Sequence, residues 1–425
     1  MIRIPIETHR LDNGLRVILA RDPAAAVVAV NLWYAVGSRN ERPGRTGFAH
    51  LFEHMMFQGS QHVPESAHFA LIEKAGGSLN GSTWLDRTNY FETLPSNYLE
   101  LALWLESDRM GWLVPAMTPE KLDNQRDVVK NERRWRVDNQ PYGDWDERLQ
   151  AMVYPPDHPY HHSVIGSMED LDAASLEDVE QFFRTYYAPN NAVLTIAGEF
   201  DPAEAMRLVE RYFGPIPSGP PVPAIPGRTQ IPTSLPAEVW QVAEQDISLA
   251  RTYVAYRIPP FGTAEFYPAT VAAHILAAGQ ASLLTRRLVR GRRVAQDVVA
   301  FAFPIVVGAA MLAIWVTARP GVNPEALEGA LFEEVDSLRD VSDAEVRRAI
   351  NLIEARQLSD LQKMDERADL LSMYATLFDD PERINTELDR IRAVTPAAVR
   401  DFAQSHLGAE QRAVLRYVPK DGEAA

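Results

Sequence analysis

Two histidines and a glutamate lie within five consecutive positions of this chain, in the segment HLFEH at residues 50–54. If the segment is helical, His50 and His54 are four residues apart and project from the same face. Glu53 lies beside them, three residues after His50. Burying three ionisable side chains together is costly unless a cation holds them. The spacing therefore predicts a site for a divalent metal ion.

Zinc is the ion that fits these donors, because it favours imidazole nitrogen with a carboxylate as the third ligand. Catalytic zinc sites typically have three protein ligands and leave one position for water. The metal lowers the pKa of that water towards about 7, and a nearby carboxylate can take the proton as the water attacks a carbonyl. Glu53 is on the same helix face as His50 and His54 and is not needed as a ligand, so we predict that it is this general base.

The third ligand should be an acid or a histidine on another element. The segment MTPEKLDNQRDVVKNERRWRVDNQPYG predicts a helix whose apolar face includes Leu122, Val129 and Trp135. Glu132 is three residues after Val129 and three before Trp135, so it shares that face. A glutamate on the buried side of a helix is otherwise unexplained, and we predict Glu132 as the third ligand. The acids available in this segment are Glu120, Asp123, Asp127, Glu132 and Asp138.

Two interpretations compete with this site. The histidines at 50 and 54 could each be hydrogen-bonded on a half-buried helix, without any metal. A second cluster, His158, His161 and His162, lies in YPPDHPYHH. That segment is a proline-rich turn without a regular scaffold, so we expect ordinary loop residues there.

The composition limits the classes of function. A chain of 425 residues predicts more than one domain, and 46% hydrophobic with 24% charged residues is typical of a globular protein. The formal net charge of -16 argues against a nucleic-acid partner. The sequence contains no run of 18 apolar residues, so it predicts no membrane-spanning helix. Zero cysteines exclude disulfides, thiolate zinc sites and cysteine nucleophiles.

The two halves of the sequence resemble each other, which indicates an internal repeat. Residues 213–226, FGPIPSGPPVPAIP, predict a stiff extended linker because of their prolines. The segment that starts at Ser175 before this linker matches the one that starts at Thr395, and each predicts a capped helix followed by a short strand. We therefore predict a homologous pair of domains, 1–214 and 228–425, joined by a linker at 215–227.

The predicted fold class is α+β, with each domain a mostly antiparallel sheet that has helices packed on one face. Strand-like runs occur in THRLDNGLRVILARD and AVVAVNLWYAVGS, and helical patterns at about 47–58, 64–76, 95–112 and 118–137. A shift of 220 residues places Thr270, Ala273 and His274 opposite the HLFEH trio. The second half thus lacks most of the site, which predicts a function needed once per chain and no metal in the C-terminal domain.

In these residues the chain resembles the inverzincin metallopeptidases, which include pitrilysin, insulin-degrading enzyme and mitochondrial processing peptidase. The segments DNGLRV, VGSRNE, GFAHLFEHMMFQGS, GGSLNGSTWLDRTNYFETLP, RDVVKNERR and YAPNNAVLTIAGEFD all follow the family's order. The resemblance implies one zinc ion per chain, held by His50, His54 and Glu132, with Glu53 as general base. The length of the chain matches that of the short bacterial and mitochondrial subunits of the family.

The resemblance also implies how a peptide binds. The segment SLNGSTW, residues 78–84, matches the family's substrate-binding edge strand. There Asn80, Gly81, Ser82 and Thr83 would pair with an extended peptide through main-chain hydrogen bonds, which depend little on sequence. In the family, two such subunits close around the peptide.

Two departures from the family pattern stand out. The family usually has a second glutamate seven residues before the third ligand, and this chain has Gln125 there. Family C-terminal halves often carry an arginine and a tyrosine that steady the tetrahedral intermediate. Here those positions align with Val289 and Gln296, and Arg290 is one residue off. We therefore expect a heterodimer with a homologous subunit that supplies the Arg/Tyr pair.

The predicted function is that of a zinc-dependent endopeptidase subunit that hydrolyses peptides or unfolded segments. The alternative is a non-catalytic subunit that binds peptides or contributes to the assembly of a larger complex. The first residues lack the features of a signal peptide, so the chain is either cytoplasmic or numbered after a signal was removed. Because bacterial relatives with paired subunits include exported forms, we expect the periplasm, with the cytoplasm as the alternative.

Overall fold

A computed structural model of the chain describes residues 3–420, which divide into two compact units. The first unit consists of the residues up to 133 together with 162–226 and 358–386. The second consists of 134–161, 227–357 and the residues from 387 onwards. Each unit is therefore assembled from three separate segments of the chain.

The strands and helices in the described residues are numbered in chain order. The strands are β1 (Glu7–Arg10), β2 (Arg16–Arg21), β3 (Val27–Tyr34), β4 (Ser78–Thr83), β5 (Thr88–Pro95), β6 (Ala192–Gly198), β7 (Val239–Gln245), β8 (Arg251–Ile258), β9 (Ala295–Phe303), β10 (Ala310–Ala318) and β11 (Arg412–Pro419). The helices are α1 (Phe48–Met55), α2 (Ala67–Lys74), α3 (Leu99–Trp112), α4 (Pro119–Arg133), α5 (Trp145–Val153), α6 (Met168–Asp172), α7 (Leu176–Tyr186), α8 (Pro202–Phe213), α9 (Phe266–Ala277), α10 (Pro324–Asp336), α11 (Asp343–Asp360), α12 (Met364–Phe378), α13 (Glu387–Arg392) and α14 (Pro396–His406).

The first unit is built on a sheet with the strand order β1-β2-β6-β3-β5-β4. Only β2 and β6 pair in parallel, and the other pairs are antiparallel. Side chains alternate across a strand, so Val28, Val30 and Leu32 of β3 all enter the main apolar core. Helices α1, α3, α7 and α8 contribute to that same core. Strand β4 ends the sheet, so its outer edge has no strand partner among residues 3–420.

The opposite face of this sheet carries one further helix, α12. Asn31 and Trp33 alternate with the core residues of β3, and both donate hydrogen bonds to Asp369 of α12, at 3.3 Å and 2.8 Å. On the same helix, the Ser372 hydroxyl lies 2.8 Å from the Thr195 hydroxyl of β6. A helix from the C-terminal half of the sequence is thus an integral part of the first unit.

The second unit has a five-stranded sheet in the described residues, with the order β7-β11-β8-β10-β9. Strands β7 and β11 pair in parallel, as β2 and β6 do, and the remaining pairs are antiparallel. The order repeats that of the first sheet, without a counterpart of β1. Helix α5 packs on this sheet, where the Trp145 ring stacks on Tyr253 with centroids 5.1 Å apart.

The fold-class prediction is confirmed: each unit is an α+β arrangement on a mostly antiparallel sheet. The prediction of helices on one face is incomplete for the first unit, because Asn31 and Trp33 create a polar patch that α12 covers. The division by contacts also differs from the expected division at 1–214 and 228–425. Residues 134–161 belong to the second unit and 358–386 to the first, because α5 and α12 bury their side chains there.

No helix within residues 3–420 combines the length and the apolar composition that crossing a membrane requires.

The packing of α12 leads to a stability prediction. Leu371 of this helix is fully buried, so Leu371→Ala should lower the free energy of unfolding by about 2–5 kcal/mol, since it leaves a cavity. Chemical denaturation followed by circular dichroism measures the loss. The matched control is Leu352→Ala on α11, where the side chain is 40% exposed and the change should stay within about 1 kcal/mol. Equal losses in the two variants would contradict an essential role of α12 in the first unit.

Candidate metal centre and active site

Helix α1 carries the two histidines, and its buried face fixes their direction. Phe48, Leu51, Phe52 and Met55 are buried in the core of the first unit. The imidazoles therefore point to the other side, where the ring centroids of His50 and His54 lie 4.9 Å apart. This is the geometry that the i, i+4 spacing predicted.

The start of α1 is held by a buried glutamate that the sequence analysis did not assign. Glu41 accepts hydrogen bonds from the backbone N–H groups of Gly47 (2.9 Å) and Ala49 (2.8 Å). A carboxylate at a helix N-terminus satisfies free donors and is favoured by the helix dipole. Gly47 has φ of 84°, and a Cβ there would meet the Ile165 carbonyl oxygen at 2.7 Å. No capping rule predicts this contact from the sequence, because Glu41 lies six residues before the N-cap Gly47 and so outside the positions of a capping box.

Glu132 reaches the histidines from α4. Val129, three residues earlier, is fully buried, which turns Glu132 towards α1. The Glu132 Oε2 atom lies 3.7 Å from His50 Nε2 and 3.2 Å from His54 Nε2. The side chains of the three residues are between 13% and 21% exposed. The structure thus brings together the three residues that the sequence analysis predicted as ligands.

These donors fit a zinc ion. The three ligand atoms all lie within 4.8 Å of one another, and no other such group of histidine, aspartate and glutamate side chains occurs in the described residues. Ligands at 2.0–2.2 Å from a tetrahedral zinc ion are separated by roughly 3.4 Å, which is close to the N···O distances measured here. Two nitrogen donors and one carboxylate are also the set that zinc favours over calcium or magnesium.

Glu53 lies on α1 beside the ligands but is held by a different strand. The Thr83 hydroxyl donates to Glu53 Oε2 at 2.6 Å. Burial raises the pKa of the Glu53 carboxyl, while the hydrogen bond from Thr83 opposes that shift. Glu53 is thus oriented, largely buried and outside the group of three ligand atoms, as the prediction of a general base requires.

The predicted substrate strand is β4, and it borders the site. Its antiparallel partner is β5, with Gly81 opposite Tyr90 and Thr83 opposite Thr88. A Cβ on Gly81 would lie 3.1–3.2 Å from atoms of Phe57, Tyr90 and Glu53. Gly81 therefore lets the strand pass close to Glu53. The Gly81 N–H donates to the Asn80 side chain at 2.9 Å.

Alternation along β4 separates its side chains into two sets. Gly81 and Thr83 face Glu53, whereas Asn80 and Ser82 alternate with them. The Ser82 hydroxyl donates to Asn89 Oδ1 of β5 at 2.7 Å. Gln125 is buried on α4, about two turns before Glu132. Its role beside the ligands, like the role of β4 in substrate binding, remains a prediction.

The rival histidine cluster has no such arrangement. His158 is buried, and its burial lowers its pKa to about 4. The Tyr160 N–H donates to His158 Nδ1 at 3.1 Å. His161 Nδ1 lies 2.8 Å from the Tyr154 carbonyl oxygen, and His162 Nδ1 lies 3.3 Å from the Ser163 carbonyl oxygen. These histidines serve local hydrogen bonding, as the sequence analysis expected.

Comparison with known proteins identifies two matching family models. Residues 16–154 match the model described as Insulinase (Peptidase family M16). Residues 173–353 match the model described as Peptidase M16 inactive domain. The first range includes His50, Glu53, His54, Gln125 and Glu132 as well as strand β4.

Among similar proteins, the zinc protease PqqE of Helicobacter pylori is 28% identical over 381 residues, which are 87% of this chain and 83% of that protein. The mitochondrial-processing peptidase subunit beta of Blastocladiella emersonii is 29% identical over 220 residues, 52% of this chain and 46% of that protein. The latter match thus spans less than half of that subunit.

Solved structures share the fold. A protease from Helicobacter pylori superposes with a TM-score of 0.92 at 24% identity, covering 98% of this chain and all of the other. A chain of complex III2 from Candida albicans gives a TM-score of 0.81 at 16% identity, covering 98% and 97%. At such identities the likeness concerns the fold alone.

The metal site yields a binding prediction. Zinc titration of the metal-stripped chain should show one tight site, and His50→Ala or Glu132→Ala should weaken it by about 100-fold or more, because each removes one of three ligands. Isothermal titration calorimetry with zinc measures the affinity. The control is His161→Ala, which should bind zinc as the unmodified chain does. Unchanged affinity in His50→Ala would rule out this site.

Proposed function

Because the chain belongs to the insulinase family of peptidases, peptidase family M16, we propose that it is a zinc-dependent endopeptidase subunit that cleaves peptides or unfolded segments. The observation that supports this most directly is the convergence of His50, His54 and Glu132 within 4.8 Å. Glu53 and the open strand β4 border the same point. The proposed ligands, the proposed base and the proposed binding strand thus lie together in the first unit.

His50, His54 and Glu132 would hold the ion. When bound, zinc supplies a Lewis acid that polarises the peptide carbonyl and lowers the pKa of the attacking water. Glu53 takes the proton from that water. Thr83 donates to Oε2 of Glu53, and we assign the other carboxylate oxygen, Oε1, as the atom that accepts the proton and passes it to the amine of the leaving product.

The substrate is an extended peptide that adds to the open edge of β4. Pairing through backbone groups gives affinity with little dependence on side chains. A folded protein has few unpaired strands to offer, so unfolded segments are the favoured substrates. Gly81 keeps this edge close to Glu53, because any side chain there would meet Glu53, Phe57 and Tyr90.

We further propose that full activity needs a homologous partner subunit. In this chain the positions expected for the arginine and the tyrosine are Val289 and Gln296. The neighbouring Arg290 guanidinium donates to the Gln280 side chain, and no tyrosine occurs in RRLVRGRRVAQDVVAF, residues 286–301. A partner that supplies both groups would add donors for the developing oxyanion.

The second candidate is a non-catalytic subunit that binds peptides or assembles with other chains. It is supported by the family model that matches residues 173–353, whose description is Peptidase M16 inactive domain. The complete ligand set of this chain, with an oriented Glu53, supports the enzyme instead.

The role of Glu53 can be tested by one conservative change. Glu53→Gln keeps the size of the side chain but removes the base, so hydrolysis of a fluorogenic peptide should fall at least about 1000-fold. Zinc content and peptide binding, measured by atomic absorption and fluorescence anisotropy, should stay within about twofold of the unmodified chain. The control is Glu73→Gln on α2. Retained turnover in Glu53→Gln would exclude the proposed mechanism. If the unmodified chain and Glu53→Gln bind the peptide equally and neither hydrolyses it, the non-catalytic candidate is favoured.

Dependence on a partner is tested by adding one. The zinc-loaded chain alone should cleave the fluorogenic peptide slowly, and a homologous subunit with the arginine and tyrosine but without HxxEH should raise kcat about 100-fold, since it adds transition-state donors. Replacing that arginine and tyrosine in the added subunit should remove the gain. Full activity of the isolated chain would contradict the need for a partner.

A further inference from the structure

Among residues 3–420, strand β4 has a strand neighbour on one side only, so its position depends on other contacts. On its inner side it pairs with β5. Its Thr83 face meets Glu53. Its Ser82 face is turned to the other side of the sheet, where the polar patch beneath α12 lies. The following steps rest on the proposed function, in which β4 receives the peptide.

A chain of hydrogen bonds connects Ser82 to α12. The Ser82 hydroxyl donates to Asn89 Oδ1 at 2.7 Å, and Asn89 Nδ2 donates to Asp369 Oδ1 at 3.0 Å. Asn89 is 1% exposed, so its amide cannot exchange these partners for bulk water. Arg87 adds a second hold on the strand, since its guanidinium donates to the backbone carbonyl of Ser82 at 2.8 Å.

Asp369 sets the donor-to-acceptor direction of the hydrogen bonds between Ser82, Asn89 and α12. A carboxylate only accepts hydrogen bonds, so it forces the NH2 group of Asn89 towards α12 and leaves the amide oxygen for Ser82. The same Asp369 oxygen accepts from Trp33 Nε1 and Asn31 Nδ2. Trp33 in turn lies under the Arg87 guanidinium, with the ring centroid 5.4 Å away. The hydrogen bond of Ser82 to Asn89 and that from Arg87 to the Ser82 carbonyl therefore both depend on the arrangement around Asp369.

We propose that Asp369 is a positioning residue for the substrate strand, although it lies 286 positions after Thr83 in the sequence. Without its carboxylate, Trp33 loses a buried acceptor, and the NH2 group of Asn89 keeps only Asn31 Oδ1, at 3.3 Å, so the contact between Asn89 and Ser82 is less firmly oriented. Strand β4 keeps its pairing with β5 and the contact with Arg87 but is held less firmly, while the ligands on α1 and α4 are unaffected. The structure predicts weaker peptide binding with an intact metal site.

Hydrogen exchange tests this without requiring activity. In the full chain, Asp369→Ala should speed exchange of the β4 amides, residues 78–83, by about tenfold, which corresponds to the loss of about one buried hydrogen bond. Asp369→Asn keeps an acceptor oxygen and should restore most of the protection. Unchanged exchange of β4 in Asp369→Ala would overturn the proposal.

Ser372→Ala is the matched control, because it removes a buried hydrogen bond from the same helix to Thr195 of β6 and not to β4. Its exchange at 78–83 should equal that of the unmodified chain. If Ser372→Ala speeds exchange at 78–83 as much as Asp369→Ala does, the effect is a general loosening of α12 and the proposal is wrong.

Steady-state kinetics test whether the position of β4 affects peptide binding. With the fluorogenic peptide, Asp369→Ala should raise KM about tenfold and leave kcat within about twofold, with the zinc content unchanged. An equal fall in kcat with constant KM would overturn the positioning role. If the unmodified chain shows no hydrolysis while exchange at 78–83 responds as expected, the endopeptidase proposal fails and the anchoring of β4 by Asp369 stands.

Discussion

The approach of the Glu132 carboxylate to two imidazoles is the interaction on which the rest of this structure depends. Three polar groups, each less than about a quarter exposed, converge on one point at which a bound cation would balance them. That arrangement requires α1 and α4 to be held at a fixed distance. Their buried faces, with Leu51 and Val129 in the core of the first unit, supply this constraint.

The start of α1 is part of the same requirement. Glu41 satisfies two backbone donors before the first turn, and Gly47 adopts a positive φ at a place where a side chain would strike Ile165. Caps of this kind contribute about 1 kcal/mol. Their greater value here is directional, since a frayed first turn would move His50 away from Glu132.

Strand β4 serves two functions because its side chains alternate. On one face, Gly81 and Thr83 bring the strand to Glu53 and orient that carboxylate. On the other face, Ser82 is tied through Asn89 to Asp369 of α12. A single short strand thus links the candidate base to a helix from the far end of the sequence.

The residues that act within one helix could be predicted from the sequence, because a period of 3.6 residues fixes which side chains share a face. His50, Glu53 and His54 followed from that rule, as did Glu132 from its spacing to Val129. The same rule wrongly placed Trp135 on the buried face of that helix, since Trp135 lies after the end of α4 and is 65% exposed. The α+β class followed from strand and helix patterns and from the internal repeat. Asp369 could not be found in this way, since no local period relates α12 to β4. Only the packing of distant segments on one sheet decided that contact, because burial of side chains depends on the tertiary structure and not on their order in the chain.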